Sequence, residues 1–244
     1  MKAGLSTSPP LSPSVAVAGR RTLLLVSGIA TLAGIAGIVA DLALEYTSQQ
    51  SALFSSTYQY LADVPQWRLL LGHFLGIAAI TLEISGFWVV FQIARANGVR
   101  SAQIMWLIVA YGTVVGVAFH GSAALTALIV QAQQAAPPDA APLLAATVAR
   151  VSAFTSPLAL VALASLTGWS VWYAVIIARS QTALPRWLAL CNPLVVALLT
   201  RIVSALSPLA RLVLAPTTLN VSTTATFLAL TVALYFGFRS RAAS

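Results

Sequence analysis

Uncharged apolar stretches long enough to cross a bilayer are the feature that most constrains this chain. The first of them runs from Thr22 to Ala40 without a charged residue. An α-helix needs about 20 such residues to cross about 30 Å of hydrocarbon. Lipid offers the backbone no hydrogen-bond partners, and the apolar runs are continuous instead of alternating, so helices are favoured over a β-barrel. The sequence predicts an all-α polytopic membrane protein.

About six transmembrane helices are predicted from the successive apolar runs. They cover residues 22–46, 68–94, 102–132, 150–178, 186–206 and 218–238. Six crossings place both termini on one side, and nine of the 13 Lys and Arg residues fall on that side: Lys2, Arg20, Arg21, Arg95, Arg100, Arg179, Arg186, Arg239 and Arg241. Because cytoplasmic loops collect Lys and Arg, both termini are predicted to be cytoplasmic, in a plasma or inner membrane.

The ends of the chain and its connections have a different composition. Residues 1–21 are rich in Ser, Pro, Gly and Ala and are predicted to form a disordered tail with a basic end, followed by one helical membrane domain over residues 22–241. The stretches 47–67, 131–149 and 207–217 are predicted to be loops. Pro208 and Pro216 are the reason in the last of these, because proline removes a helical hydrogen bond.

The basic character of the chain does not indicate a nucleic-acid partner. The net charge is +8, but the cations are scattered between apolar runs, so they are interpreted as topology signals. The predicted partner is the lipid bilayer, with a homo-oligomer or a membrane complex as a further option. Gly72 with Gly76 and Gly112 with Gly116 are the faces on which helices could associate. The single Cys191 excludes an intrachain disulfide.

Glu83 is the most informative polar residue. At 1.5 Å per residue it lies roughly 20 Å into the second helix, near the bilayer centre, where an ionised carboxylate is costly. His120 and Arg201 fall at a similar depth, so a cluster of Glu83, His120 and Arg201 is predicted. The alternatives are a structural ion pair, or an Arg201 side chain that extends to the membrane surface.

His73 and His120 are the two histidines of the chain. Helical spacing puts His73 on one broad face with Glu83. Three interpretations are open for each histidine: a hydrogen bond between helices, proton transfer or ligand contact, and binding of a metal or haem. His73 lies roughly 7 to 10 Å shallower than His120 by helical rise, so one haem does not easily join them. No metal-binding signature with characteristic spacing occurs, and no cofactor is assigned.

Three further patterns near the predicted helix ends have ordinary interpretations. Asp41 and Glu45 share a face of the first helix and are predicted to be hydrated end residues. If Asp41 points inward, it forms a vestibule with His73 above Glu83. Pro193 after Asn192 is interpreted as a plain kink or a first-turn proline, with a broken-helix site as the alternative. Asn220-Val-Ser222 matches a glycosylation acceptor, to which little weight is given.

Three functional classes fit these residues. The first is a small carrier or channel that uses the mid-membrane Glu83, His120 and Arg201. The second is an intramembrane enzyme that acts on a lipid-like substrate with His73 and His120. The third is a structural or assembly subunit of a membrane complex. Catalysis of the soluble type is disfavoured, because no phosphate-binding glycine loop, nucleophile elbow or zinc-protease motif is present.

Overall fold

The fold is entirely helical in the part of the chain that the computed structural model describes, residues 13–46, 58–182 and 184–242. The α-helices are α1 (Pro13–Glu45), α2 (Gln66–Ala96), α3 (Ala102–Ala135), α4 (Ala141–Ala178), α5 (Pro193–Leu206) and α6 (Pro208–Ala242). Two short 3-10 helices, Gln59–Leu61 and Arg186–Leu190, precede α2 and α5. Five helices, all except α5, are long and apolar enough to cross a membrane. The prediction of an all-α polytopic membrane protein is confirmed.

The helices form a closed ring. Each of α1, α2 and α3 packs against the next helix. Helix α4 contacts α5 and the 3-10 segment that precedes it, and α6 packs against both α5 and α1. Large apolar side chains such as Leu25, Phe74 and Leu160 remain about two-thirds exposed (65–67%) on the outside of this ring. Such a surface fits a hydrocarbon environment, where exposed apolar side chains carry no penalty.

Two apolar clusters mark the two ends of the bundle. The terminal cluster contains Phe87, Trp169, Tyr173 and Phe227, and it joins Leu23 near the start of α1 to Leu234 near the end of α6. Both helices at the ends of the chain therefore meet at one end of the bundle, called the terminal end below. The distal cap lies at the opposite end and contains Leu44, Tyr60, Leu61, Val64, Leu69 and Ala127.

Several predicted boundaries are wrong. Helix α6 begins at Pro208 and continues through Pro216, so residues 207–217 are not a loop. Helix α4 begins at Ala141, nine residues before the predicted start. Helix α1 begins at Pro13, inside the predicted tail. Residues 1–12 and 47–57 lie outside the described residues. The predicted bounds of α2 and α3 agree with the structure to within about three residues.

The predicted helix over 186–206 is also interrupted, at Cys191 and Asn192. The Asn192 side chain accepts a hydrogen bond from the Val195 backbone N–H (3.1 Å) and donates one to the Ala189 carbonyl (2.7 Å). Pro193 therefore occupies the first turn of α5, as interpreted from the sequence. The 14 residues of α5 rise about 21 Å, less than the hydrocarbon thickness, so α5 by itself is too short to cross the bilayer, and the sixth predicted crossing stays a prediction.

The glycines predicted to serve association lie inside the bundle instead. A methyl group at Gly112 would overlap the Ser165 side chain of α4, and one at Gly76 would overlap the His120 ring of α3. A methyl group at Gly72 would meet Leu44 of α1. These positions let helices of the same chain approach each other closely.

Candidate functional site

One face of α1 carries only small and polar residues. They recur at steps of three or four: Ser27, Thr31, Gly34, Gly37, Asp41 and Glu45. Such spacing keeps them on one side of a helix, and this side packs against α6. At its terminal end the Ser27 hydroxyl lies 2.7 Å from that of Thr231. The interface is thus polar along most of its length.

Two glycines bring α6 close to α1. A Cβ atom at Gly37 would lie 2.5 Å from Oδ1 of Asn220, and one at Gly34 would overlap the Thr224 side chain. The absence of side chains at these two positions creates the space for polar groups of α6. Asn220 uses that space to reach Asp41, one turn further along α1.

Asp41 is buried, with 9% of its surface exposed. Nδ2 of Asn220 donates a 2.6 Å hydrogen bond to its Oδ2. The prediction that Asp41 is a hydrated end residue is therefore wrong, because the polar face of α1 points into the bundle. Asn220 is itself buried within α6, a position that does not suit the glycosylation acceptor suggested by its sequence.

His120 lies between α2 and α1. Its Nε2 is 3.1 Å from the Gly72 carbonyl oxygen, and a carbonyl can only accept, so Nε2 carries a proton. Nδ1 then faces Oδ1 of Asp41 at 3.9 Å. In neutral imidazole this nitrogen has a free lone pair, so it is the atom that would gain or lose a proton.

Glu83 is buried next to α6. Oγ1 of Thr223 donates a 2.9 Å hydrogen bond to its Oε1. The same hydroxyl lies 3.2 Å from the carbonyl oxygens of Leu219 and Asn220. A hydroxyl group has one proton and two lone pairs. Thr223 can therefore donate to an ionised Glu83, or accept from a protonated Glu83 while it donates to its own helix.

Arg201 lies elsewhere. Its side chain is exposed and interacts electrostatically with Glu45. The hydrogen-bond partner of Glu83 is Thr223, and His120 faces Gly72 and Asp41, so these two residues have partners other than the predicted Arg201. Helix α5 packs against α6, and it is α6 that supplies the partner of Glu83.

Asp41 lies within electrostatic range of two other carboxyl groups, those of Glu45 and Glu83. Asp41 interacts electrostatically with both Glu45 and Glu83, although the chain has only five acidic residues in all. Tyr60 of the distal cap interacts electrostatically with Glu45. A change of charge on Glu45 or Glu83 therefore affects Asp41, as expected for interacting titratable groups. Three acids share the interior of one helical bundle.

His73 lies at the α2–α3 interface near His120. Its Cε1 atom is 3.8 Å from the position that a Cβ atom would take at Gly121, and the two histidines interact electrostatically. Its Nδ1 is buried and has no hydrogen-bond partner among the described residues. The described part of the chain contains no group of three His, Cys, Asp or Glu residues that could hold a metal ion.

Asn220 and Thr223 were not predicted as site residues. The signal for them was a dense run of hydroxyl and amide side chains inside an apolar stretch: Thr217, Thr218, Asn220, Ser222, Thr223, Thr224 and Thr226. Six of these seven side chains, all except Thr224, are buried. Together with Asp41, Glu83 and His120, Asn220 and Thr223 form what is called the polar core below.

Comparison with known proteins places the chain in a family but does not supply a function. The chain belongs to a family of unknown function, DUF6796, whose model matches residues 18–236. No curated protein matches the sequence. No solved structure matches it either.

Proposed function

We propose that this DUF6796 protein is a small proton-linked membrane carrier in which Asp41 and His120 exchange the proton. The observation that carries the proposal is the arrangement of Asp41, His120 and Asn220, which come from three different helices and meet in the bundle interior. An ionisable residue that is buried inside a membrane bundle is costly and is by default functional. Here an acid and a base occur together.

The chemistry is a proton shared between two atoms. Oδ2 of Asp41 accepts from Asn220, which leaves Oδ1 to face Nδ1 of His120. In one state the proton is on Asp41 and both groups are neutral. In the other it is on His120, and an imidazolium faces a carboxylate. The 3.9 Å separation is too long for a hydrogen bond, so transfer requires closure by about 1 Å or a bridging water.

Glu83 provides a second proton site. Its partner Thr223 follows Asn220 by one turn on α6, and its hydroxyl suits either protonation state of Glu83. Asp41 and Glu83 interact electrostatically, so a proton at one of them changes the affinity of the other. We assign Glu83 as the acid that accepts or supplies the proton next to the Asp41–His120 pair.

Close packing favours a proton over a larger ion at this position. The rings and amides of the polar core are held where even a methyl group at Gly37 or Gly76 would overlap them. A proton is the one species that needs no additional space. The co-transported substrate would bind elsewhere.

The test is infrared difference spectroscopy on protein in lipid while the bulk pH is cycled, combined with proton uptake into liposomes that contain a pH-sensitive dye. We expect a carboxyl band that requires Asp41 and an imidazole band that requires His120, and both should change together. Asp41→Asn keeps an oxygen for the Asn220 hydrogen bond, so the variant should fold but lose both band changes and the proton uptake.

The matched control is Asp139→Asn, which makes the same chemical change at an exposed acid between α3 and α4. It should behave as wild type in both measurements. A folded Asp41→Asn variant that retains the coupled bands and the uptake would contradict the proposal. The carrier would then have no proton-exchanging pair at this place.

A further inference from the structure

A groove of about 490 Å³ lies on the outer surface of the bundle, at the end opposite the chain termini. Its walls are almost wholly apolar and come from three helices: Val39 and Leu42 of α1, Leu71 of α2 and Val213 of α6. The side chains of Val39 and Leu71 are more than 40% exposed. An apolar, elongated surface of this kind can hold a hydrocarbon chain.

A cation lies at the rim of this groove. Arg68 lines it and turns its guanidinium toward the end of α1. Nε donates to the Ala43 carbonyl (2.9 Å), and one terminal nitrogen donates to the carbonyls of Leu42 (3.0 Å) and Tyr46 (2.7 Å). These carbonyls lie at the end of α1 and just beyond it, where backbone acceptors run out of helical partners, although the Leu42 carbonyl also accepts from the Tyr46 N–H (3.1 Å). The second terminal nitrogen makes no hydrogen bond in the described part of the chain.

Among the described residues, the partners of Arg68 are backbone carbonyls and not carboxylates. All five acidic residues are among the described residues, namely Asp41, Glu45, Asp63, Glu83 and Asp139. In the described chain, none of them lies within ion-pair distance of Arg68, whose partners are backbone carbonyls. The two N–H groups of the second terminal nitrogen can therefore donate to an external anion. Planar guanidinium groups match phosphate oxygens well.

Two aromatic side chains show at which level of the membrane the groove lies. Tyr46 and Trp67 border it and are 45% and 65% exposed. Tyr and Trp are enriched where lipid headgroups begin. The groove thus has the layout of one lipid molecule: a cation at headgroup level, aromatic groups beside it and an apolar wall that extends toward the bilayer centre.

We propose that this groove is a binding site for an anionic phospholipid. One acyl chain lies along Val39, Leu42, Leu71 and Val213, and the phosphate group contacts the free side of Arg68. The site is separate from the polar core and does not depend on the proton-linked role. The lipid would lie directly behind α1, the helix that carries Asp41.

The test is native mass spectrometry of the full chain, purified in detergent with equal amounts of phosphatidylglycerol and phosphatidylcholine that have identical acyl chains. Wild type should retain phosphatidylglycerol in preference. Arg68→Gln should lower the ratio of retained phosphatidylglycerol to phosphatidylcholine about fivefold, the size expected for one cation near the membrane surface.

Two further variants separate the lipid site from other effects. Val213→Trp leaves Arg68 and its hydrogen bonds to α1 in place, and it should reduce the retained phosphatidylglycerol because it fills the groove. Arg211→Gln removes an exposed arginine at the same end of the bundle, and the lipid ratio should stay at the wild-type value.

Three results would overturn the proposal. One is a wild-type protein that retains both lipids equally or neither. Another is an Arg211→Gln variant that loses as much preference as Arg68→Gln, which would indicate general surface charge. The third is a Val213→Trp variant that retains phosphatidylglycerol at the wild-type level.

Discussion

The polar core and the terminal cluster meet along α2 and α6 but are built in opposite ways. Glu83 and Thr223 form a hydrogen bond between α2 and α6. Four residues further along each helix, Phe87 and Phe227 contact each other at 5.1 Å between ring centroids. Because i and i+4 positions are one turn apart, the boundary between the two regions lies within one helical turn.

Different forces hold the two regions together. In a membrane, apolar packing gains little from exclusion of water, because lipid tails are as apolar as the protein interior. The terminal cluster therefore depends on the shape fit of Phe87, Trp169, Tyr173 and Phe227, whose neighbouring rings lie 4.8 to 5.1 Å apart. The polar core depends on hydrogen bonds for which lipid offers no replacement. Aromatic packing and buried polar groups are thus separated along the bundle.

The largest expected effect is in the terminal cluster. Trp169 is 1% exposed, and Trp169→Ala should lower the free energy of unfolding by about 2 to 3 kcal/mol. This is less than the about 3 to 5 kcal/mol of a water-soluble core, because packing contacts are lost and a cavity forms but little transfer from water is involved. Reversible unfolding in mixed detergent micelles measures this loss. The folded fraction should retain the proton response of wild type. Trp187→Ala, at a half-exposed position near the same end, is the control and should cost much less.

If the folded Trp169→Ala protein lost its proton response, the two regions would not be independent. Loss of both properties would indicate that the rings of the terminal cluster hold α2 and α6 at the distance that the Glu83–Thr223 hydrogen bond needs.

The second largest effect is expected for Gly76→Ala, which should change both the free energy of unfolding and the imidazole band of His120. In Gly76→Ala the new methyl group overlaps the His120 ring, so the ring must move away from the Gly72 carbonyl and from Asp41. We expect a loss of about 1 to 3 kcal/mol, the usual cost of overpacking, together with loss of the imidazole band. Infrared difference spectra and unfolding curves measure the two effects.

Gly168→Ala is the matched control, since no atom lies within 4 Å of the added methyl group. This variant should be as stable as wild type or up to about 1 kcal/mol more stable, because alanine is the better helix former. An unchanged imidazole band in Gly76→Ala would mean that His120 has room to move without losing its partners.

A smaller effect is expected for the hydrogen bond at the boundary. Thr223→Val keeps the shape of the side chain but removes the donor to Glu83. Hydrogen bonds between membrane helices contribute about 0.6 kcal/mol on average, so the stability loss should be of that size, whereas the carboxyl band of Glu83 should shift. Thr81→Val is the control, because Thr81 is exposed and bonds only within its own helix. An unshifted Glu83 band would mean that the Thr223 hydroxyl does not act on Glu83.

The fold class could be predicted from the sequence because hydropathy and length decide whether a segment crosses a membrane. The bounds of α2 and α3 followed directly. Proline was overweighted: Pro216 lies within α6, and membrane helices tolerate proline where neighbouring groups satisfy the freed backbone. The break before α5 could not be located by hydropathy, because the 3-10 segment is as apolar as a helix.

The candidate site could be predicted in part. Glu83 and His120 were recognised because ionisable residues are conspicuous in apolar segments. Depth along a helix gives the level of a residue but not the neighbour it faces, so Arg201 was assigned to Glu83 instead of Glu45. Asn220 and Thr223 were missed because uncharged polar residues are common in membrane helices. Their importance follows only from the proximity of α6 to α1 and α2.

The smallest effect concerns Tyr60 in the distal cap, which is outside the membrane-spanning segments and 8% exposed. Burial raises the pKa of its phenol, and the negative charge of Glu45 and the neighbouring Tyr58 raise it further. The folded state therefore disfavours the ionised phenol. An unfolded tyrosine ionises near pH 10, so this contribution is complete below about pH 10 and is lost as the pH rises further.

Tyr60→Phe should consequently leave stability unchanged at neutral pH but make the protein more resistant than wild type to unfolding above about pH 10. Unfolding curves of both proteins at neutral and alkaline pH measure the difference. In a Glu45→Gln background the advantage of Tyr60→Phe should shrink, because one source of the raised pKa is gone. An equal alkaline loss in wild type and Tyr60→Phe would mean that the cap opens before Tyr60 ionises, so that the polar core is not closed off at that end.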